Sequence, residues 1–359
     1  MAFNQNAEEF GVQLATKMQL VLDQPMSDMS TGLVNHDYEG EFFKIGNTVK
    51  IVKPNINSVN VQVGGAMTQY SRDAAGLSNN AVDDPANRLA GSNDARLPVR
   101  DLQFYDTTLV IDKTAKYAFI VSDITEVEGR WNYESAGLDF AAQKIRKIHN
   151  KNVAELIAND TAIAANQTAE GLDTVLGTAA NPITITSVDQ LYEDIILPMY
   201  AALYDRGAIT ADGQITAGSN ASQSKATHGC IYMPTKLYTQ LLKSKYFTDR
   251  STADADGVVR SGKVKTITNL DVAIEPALVT IQSETAGQYK KIVVPTAAAG
   301  TMVIIAGTQN TVTRANKVLP PDKFRSHERF ADEYHGLEIY GEKVFSPESA
   351  CVAFVKLGE

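Results

Sequence analysis

One run in this sequence keeps a helical period far longer than any other. From Tyr133 to Ala158, Leu138, Ala141, Ile145, Ile148, Asn152 and Leu156 recur at three- and four-residue steps, and Ala142, Val153 and Ile157 widen the stripe. Lys144, Arg146, Lys147 and Lys151 read as the opposite, wetted side, and His149 as a packing histidine beside the stripe. About 26 residues make a rod of about 39 Å. A rod of that length suits a spine that ties a domain together, so the rest of the chain must supply surfaces along it. Trp131 and Tyr133, at its start, read as an anchor for the helix entry.

Upstream, Phe42 to Pro54 and the alternating Val59, Val61 and Val63 read as strand, and Thr107 to Ser122 as a returning strand rich in β-branched and aromatic residues. Between them Thr68 to Asp101 is dominated by Asn, Asp, Ala, Gly and Ser. About 30 residues without a hydrophobic period is long beside connections of about 4–6 residues in compact domains. Strand, polar excursion and strand describe an extended two-stranded arm, and such an arm is marginal in water unless it lies on another surface. Arg72, Arg88, Arg96 and Arg100 alternate there with Asp83, Asp84 and Asp94, a mixed-sign pattern that suits registry between subunits. The oxygen-rich set Asp83, Asp84, Asn87, Asn93 and Asp94 fits no EF-hand spacing.

Before the arm, residues 6–22 carry Phe10, Leu14, Met18, Val21 and Leu22 at helical spacing, and Pro25 ends the run. This terminal helix is expected to dock on a neighbouring surface or on its own domain. After the long helix, residues 159–185 read as a loose linker. Val188 to Tyr204 reads as a helix kinked at Pro198, and Gly229 to Met233 as a short buried strand. Pro234 is expected in the first turn of a helix to Lys243. Residues 248–262 read as polar loop. Short strands follow near Lys263–Ile267, Val272–Ile274, Lys291–Val294 and Thr301–Ile305, and two more close the chain at Leu337–Pro347 and Ser349–Val355. The order is α+β, without the βαβ repeat of a doubly wound sheet.

Composition narrows the function. Asp and Glu number 42 against 33 Lys and Arg, a formal charge of −9, which disfavours direct grip on nucleic acid. Cys230 and Cys351 form no C-x-x-C pair and read as free thiols. No basic and apolar signal segment and no apolar run of about 20 residues is visible, so a cytoplasmic protein, or one carried inside a larger particle, is expected. Neither phosphate-binding glycine signature, nor H-E-x-x-H, nor G-x-S-x-G occurs. His327 and His335 flank acidic residues at a spacing that matches no usual metal-ligand pattern. No catalytic, cofactor or metal site is assigned.

Several stretches, taken in order, resemble the major capsid proteins of tailed double-stranded DNA bacteriophages, with their Hong Kong 97-type fold. FKIGNTVKIVKP is similar to the strand that enters that family's extended arm, and LVIDKTAKYAFIVSDITEVEG to the strand that returns from it. The helix of residues 133–160 resembles its spine helix, YMPTKLYTQLLKSKYF with GKVKTITNLDVAIEPAL its axial segment, and GLEIYGEKVFSPESACVAFVK its closing strand pair. The resemblance implies an N-terminal arm (1–35), a peripheral domain (36–53, 108–184 and 321–359) with spine helix 133–158, an extended loop (54–107) and an axial domain (185–320). It implies self-assembly into pentamers and hexamers of an icosahedral head in the virion, put together in the host cytoplasm and enclosing double-stranded DNA without gripping its sequence. A scaffolding protein, a portal and a decoration protein are the implied partners, with no cofactor and no membrane. Because 1–35 is only an arm, scaffolding is expected from a separate protein, or the chain is already mature. Phe10, Leu14, Arg72, Asp83, Asp84, Arg88, Asp94, Arg96 and Arg100 are the implied contacts between subunits. An encapsulin-type compartment of the same fold is the alternative; a tail protein would lack the spine helix, and an enzyme would need a site no motif supplies. Deleting Ser71 to Arg100 should leave a folded, soluble subunit that cannot close shells, as sedimentation and electron microscopy would show; normal particles from the deleted chain would refute the arm.

Overall fold

The long helix forms over Tyr133–Ala158, the bounds that the periodicity gives. The structure, a computed structural model, describes residues 29–36, 48–54, 104–123, 133–209, 229–244, 246, 264, 266–267, 270–283 and 291–358. The chain divides into two compact units, Met1–Val49 with Leu109–Glu359, and Lys50–Thr108. Described strands of the smaller unit are β2 (Thr48–Pro54) and β3 (Phe104–Val110), paired as a two-stranded ribbon. The terminal helix expected over 6–22, the alternating valines 59–63, the polar excursion, Trp131 and the 248–262 loop lie outside the described residues.

In the larger unit the helix serves two sheets. The first joins, among the described residues, β1 (Val34–Asn35), β12 (Val312–Val318), β14 (Ala331–Val344) and β13 (Asp322–Arg325) in that order, with β4 (Lys113–Ser122) also on β14. The second runs β5 (Ile183–Ile185), β15 (Ala350–Leu357), β11 (Met302–Gly307), β6 (Cys230–Met233), β8 (Leu270–Ile274) and β7 (Thr266–Ile267). A separate parallel pair joins β9 (Thr280–Ile281) to β10 (Ile292–Val293).

The second sheet is buried on both faces, which is why β11 reads as an unbroken apolar run, MVIIAG. Its alternation still sorts the side chains. Ile304, Ala306, Cys351, Ala353, Ile231 and Met233 pack with Leu191, Ile195, Met199 and Leu203 of the following helical segment. Val303, Ile305, Val352, Phe354 and Tyr232 face the other way, onto Val153, Ala154 and Ile157 of the long helix and Met29 and Leu33 of a short helix, Met29–Leu33. The carboxyl half of the rod thus covers the second sheet, and its amino half covers the first. Close approach there needs Gly137, where a Cβ would lie 2.6 Å from the Phe119 ring of β4. Gly336 on β14 is likewise overlaid by the ring of Tyr117, its ladder partner.

Several expectations are corrected. The strand read over 107–122 is two, broken at Ile111–Asp112, because its first part pairs with β2 and its second with β14. The loose linker 159–185 holds helices Thr161–Ala169 and Asp173–Leu176 and then β5. Asp160 caps the first of these, its Oδ1 accepting from the Ala162 and Ile163 amides at 2.9 Å each, and Ile163 and Gln167 bury one face. The helix read over 188–204 forms as a π-helical segment, Leu191–Ile196, that leads into the α-helix Leu197–Asp205, so Pro198 sits in a first turn that needs no donor from it. Pro234 precedes the next helix, Thr235–Leu241, as its cap. β14 begins at Ala331, six residues before the apolar run: its first part pairs along the backbone with both β4 and β13, and Asp332, Glu333 and His335 there hide it from an apolar pattern. β12 went unread because TRANKV shows no apolar alternation.

Candidate functional site: a charged helix–sheet interface

On the inner face of the first sheet, ladder register places charge where apolar residues would be expected. Arg314 pairs with Glu342, Asn316 with Tyr340, and Tyr340 in turn with Lys113. Residues two apart share a face, so Arg314 and Asn316, Glu338, Tyr340 and Glu342, and Lys113, Ala115 and Tyr117 look the same way. Opposite them the helix presents Ala142, Ile145, His149 and Asn152. Ala115, Ala142, Ile145 and Tyr340 form the apolar part of this interface.

The polar part is nearly dry. His149 and Arg314 are each 2% exposed and Glu338 is fully buried. Arg314 donates from Nε to Glu342 Oε1 at 2.9 Å, with Nη2 at 2.7 Å from the same oxygen, and Lys113 Nζ reaches Glu342 Oε2 at 3.2 Å. Arg314 Nη1 lies 3.3 Å from His149 Nδ1. A guanidinium can only donate, so Nδ1 accepts and the ring proton is assigned to Nε2. That Nε2 faces Glu338 Oε2 at 3.2 Å. Asn316 donates to Glu338 Oε1 at 3.1 Å, Asn152 donates to the Tyr340 hydroxyl at 2.8 Å, and the His149 and Tyr340 rings meet at 4.7 Å. His149 Nε2, Arg314 Nη2 and Glu338 Oε2 are short in distance yet lack aligned hydrogen bonds. Arg314 is therefore held on Glu342 by its Nε hydrogen bond and by opposite charge, which a dry setting strengthens.

Burial alone would raise the Glu342 carboxyl, but Arg314 and Lys113 outweigh it and hold the group below its usual range. Burial pushes the Tyr117 hydroxyl up to about 12, helped by the charge of Glu338, and raises Tyr340 as well. Periodicity placed Ile148 in the buried stripe and Lys151 outside it. The structure reverses both: Ile148 is 43% exposed, Lys151 is buried, and His149 takes the centre of the contact face.

Further polar ties hold neighbouring elements. Arg206 grips Glu170 through Nε and Nη2 and donates from Nη1 to Ala350 O at 2.7 Å, fastening two helices to the start of β15. Val293 of β10 donates its amide to Glu155 Oε1 at 2.8 Å and its carbonyl accepts from Asn159 Nδ2 at 2.9 Å, so the long helix covers that strand edge. Arg325 joins Asp123 and Asp332 on the first sheet, and the rings of His335 and Phe324 meet at a tilt with centroids 4.6 Å apart.

No protein-family model and no curated protein matches the sequence. Solved structures do match. A chain of Mycobacterium phage Che8 shares 15% identity over 90% of each chain with a TM-score of 0.51. The mature capsid of bacteriophage PhiM1 shares 11% over 92% of this chain and 86% of that one, and the capsid of cyanophage P-SCSP1u 11% over 92% and 87%, each with a TM-score of 0.50. The chain has the Hong Kong 97-type capsid fold.

Within the capsid fold, the charged interface lies under the spine helix, and it is the part sequence reasoning missed. The contact residues expected between subunits, Phe10, Leu14, Arg72, Asp83, Asp84, Arg88, Asp94, Arg96 and Arg100, lie outside the described residues. Cys230 and Cys351 are free thiols, both pushed up to about 12 by burial. Among the described residues no group of three His, Cys, Asp or Glu is placed to hold a metal ion, and no helix is long and apolar enough to cross a membrane.

Glu342→Gln should cost about 3–5 kcal/mol, because it leaves Arg314 buried without its counter-charge. Replacing both, Arg314→Met with Glu342→Leu, should cost much less. Chemical denaturation at pH 7 measures the difference. For Glu342 the folded value is depressed, so its stabilisation is present above the unfolded value of about 4.3 and is lost as pH falls below it. The tyrosines are raised, so their effect is present below about pH 10 and lost as pH rises further. A stability profile flat from pH 3 to 11 would contradict this assignment.

Proposed function

We propose that the chain is the major capsid protein of a tailed double-stranded DNA phage, a structural and non-catalytic subunit that assembles into pentamers and hexamers of an icosahedral head. The observation that carries the reading is likeness to phage capsid structures across about nine-tenths of the chain. In this reading the axial domain is 185–320, with β15 lying in its sheet, the peripheral domain is 36–53, 108–184 and 321–359, the extended loop is 54–107, and 1–35 is the N-terminal arm. The seven charged residues of the loop and Phe10 and Leu14 of the arm contact neighbouring subunits. Scaffolding, portal and decoration proteins are the partners such a head calls for, and assembly takes place in the host cytoplasm. The net charge of −9 suits a wall that encloses DNA without holding it.

An encapsulin-type shell shares this fold, but the three structures that support the reading come from phages, two of them named as capsids. Negative-stain microscopy of the chain, expressed alone and with the open reading frames beside its gene, tests the proposal. Closed shells of tens of nanometres are expected, and DNA packaged within them in the presence of the packaging genes. Small oligomers under every condition would refute the shell role, and shells that enclose an enzyme would favour the compartment.

A further inference from the structure

A buried polar atom without a hydrogen-bond partner is costly, and a native interior holds few of them. Among the described residues seven side-chain atoms are in this condition, and five of the seven belong to the charged face between the long helix and the first sheet: Tyr117 Oη, His149 Nε2, Arg314 Nη2, Asn316 Oδ1 and Glu338 Oε2. Arg314 Nη2 is compensated by Glu342 Oε1 at 2.7 Å. The other four gather around Glu338. Its Oε2 lies 3.2 Å from His149 Nε2, close enough to bond, so the ring N–H must aim past it. Its Oε1 accepts from Asn316 Nδ2 at 3.1 Å, which leaves the oxygen of the same amide unpaired. Tyr117 lies over Gly336, the next inward position before Glu338 on β14. One group comes from each of β4, β12, β14 and the long helix.

The four groups are chemically complementary. With His149 Nδ1 accepting from Arg314, Nε2 carries the proton and can only donate. The Tyr117 hydroxyl keeps its proton, because burial and then the charge of Glu338 push it up, and it too has a hydrogen to give. Asn316 Oδ1 and the Glu338 carboxylate oxygen can only accept. Two donors and two acceptors are what a single water molecule satisfies. A cation is a poorer match, since it would sit against the N–H of His149. Ala115, the ladder partner of Glu338, and Ala142 on the helix are small, so neither fills the space beside the carboxylate. We propose that this corner binds one internal water, which accepts from His149 Nε2 and Tyr117 Oη and donates to Glu338 Oε2 and Asn316 Oδ1. His149 is 2% exposed, Asn316 5% and Glu338 0%, so the site is closed to bulk solvent. The water supplies the aligned bond at Nε2 that direct contact with Glu338 does not, and it ties three strands and the long helix at one point.

Crystals of the full chain grown with rubidium chloride, at a resolution that shows ordered water, test the site. A compact peak is expected about 2.7–3.2 Å from the four atoms, with no rubidium anomalous signal there. A rubidium signal at the peak overturns the proposal, and so does the absence of a peak with the four atoms paired to protein groups. Tyr117→Phe gives an independent reading in solution, because it keeps the ring over Gly336 and removes only the hydroxyl. Removing a buried hydroxyl that has no partner raises the denaturation midpoint, whereas removing one bonded to an internal water lowers it. A lowered midpoint is expected for the full chain in chemical denaturation; a raised or unchanged midpoint overturns the proposal.

Discussion

Arg314 and Glu342 face each other across the ladder of β12 and β14, beneath a helix that keeps water from both. Neither charge can be removed alone without stranding the other, and each is tied to a further element: Glu342 to Lys113 on β4, Arg314 to His149 on the helix. Three strands and the long helix therefore share one electrostatic arrangement. An apolar interface would tolerate sliding by a residue or a turn. This one does not, because a shift moves His149 away from both Arg314 and Glu338. Such a pair is weak evidence for stability and better evidence for a fixed register.

The fixed register has a consequence for the whole subunit. The same helix buries Val153, Ala154 and Ile157 against the second sheet, so its position on the first sheet also sets its position on the second. The Arg206–Glu170 grip and the Glu155 and Asn159 contacts to Val293 add polar ties around that second sheet. A subunit built in this way passes force along one stiff element between two sheets. That stiffness is what the proposed shell role calls for, and it accounts for the rod being the strongest signal in the sequence.

Much of this was legible and some was not, for physical reasons. The helix bounds, the buried strand ending at Met233 and the apolar β11 follow from periodicity, because burial against an apolar partner leaves an apolar pattern. The first sheet breaks that link. Its inward residues are Arg314, Asn316, Glu338 and Glu342, which read as a wetted face, and the helix residue that meets them is a histidine flanked by the more apolar Ile148. The pattern assigned Ile148 to the core by its side chain, whereas the charges opposite select His149. The helix over 161–169 hid for another reason: Thr, Ala, Asn and Gln bury little, and its signal is the Asp160 cap. The contacts proposed for the arm and loop would depend on a second copy, which no single chain's pattern records.

Native-state hydrogen exchange on wild type and Glu342→Gln addresses the central claim, that the charged interface fixes the spine helix on its sheet. The account predicts that the variant loses protection selectively in the amino half of the long helix and in β4, β12 and β14, while β6, β11 and β15 keep theirs until global unfolding. Loss spread evenly over both sheets, or none in the helix, would show that the rod is held by its apolar contacts alone and would contradict the account.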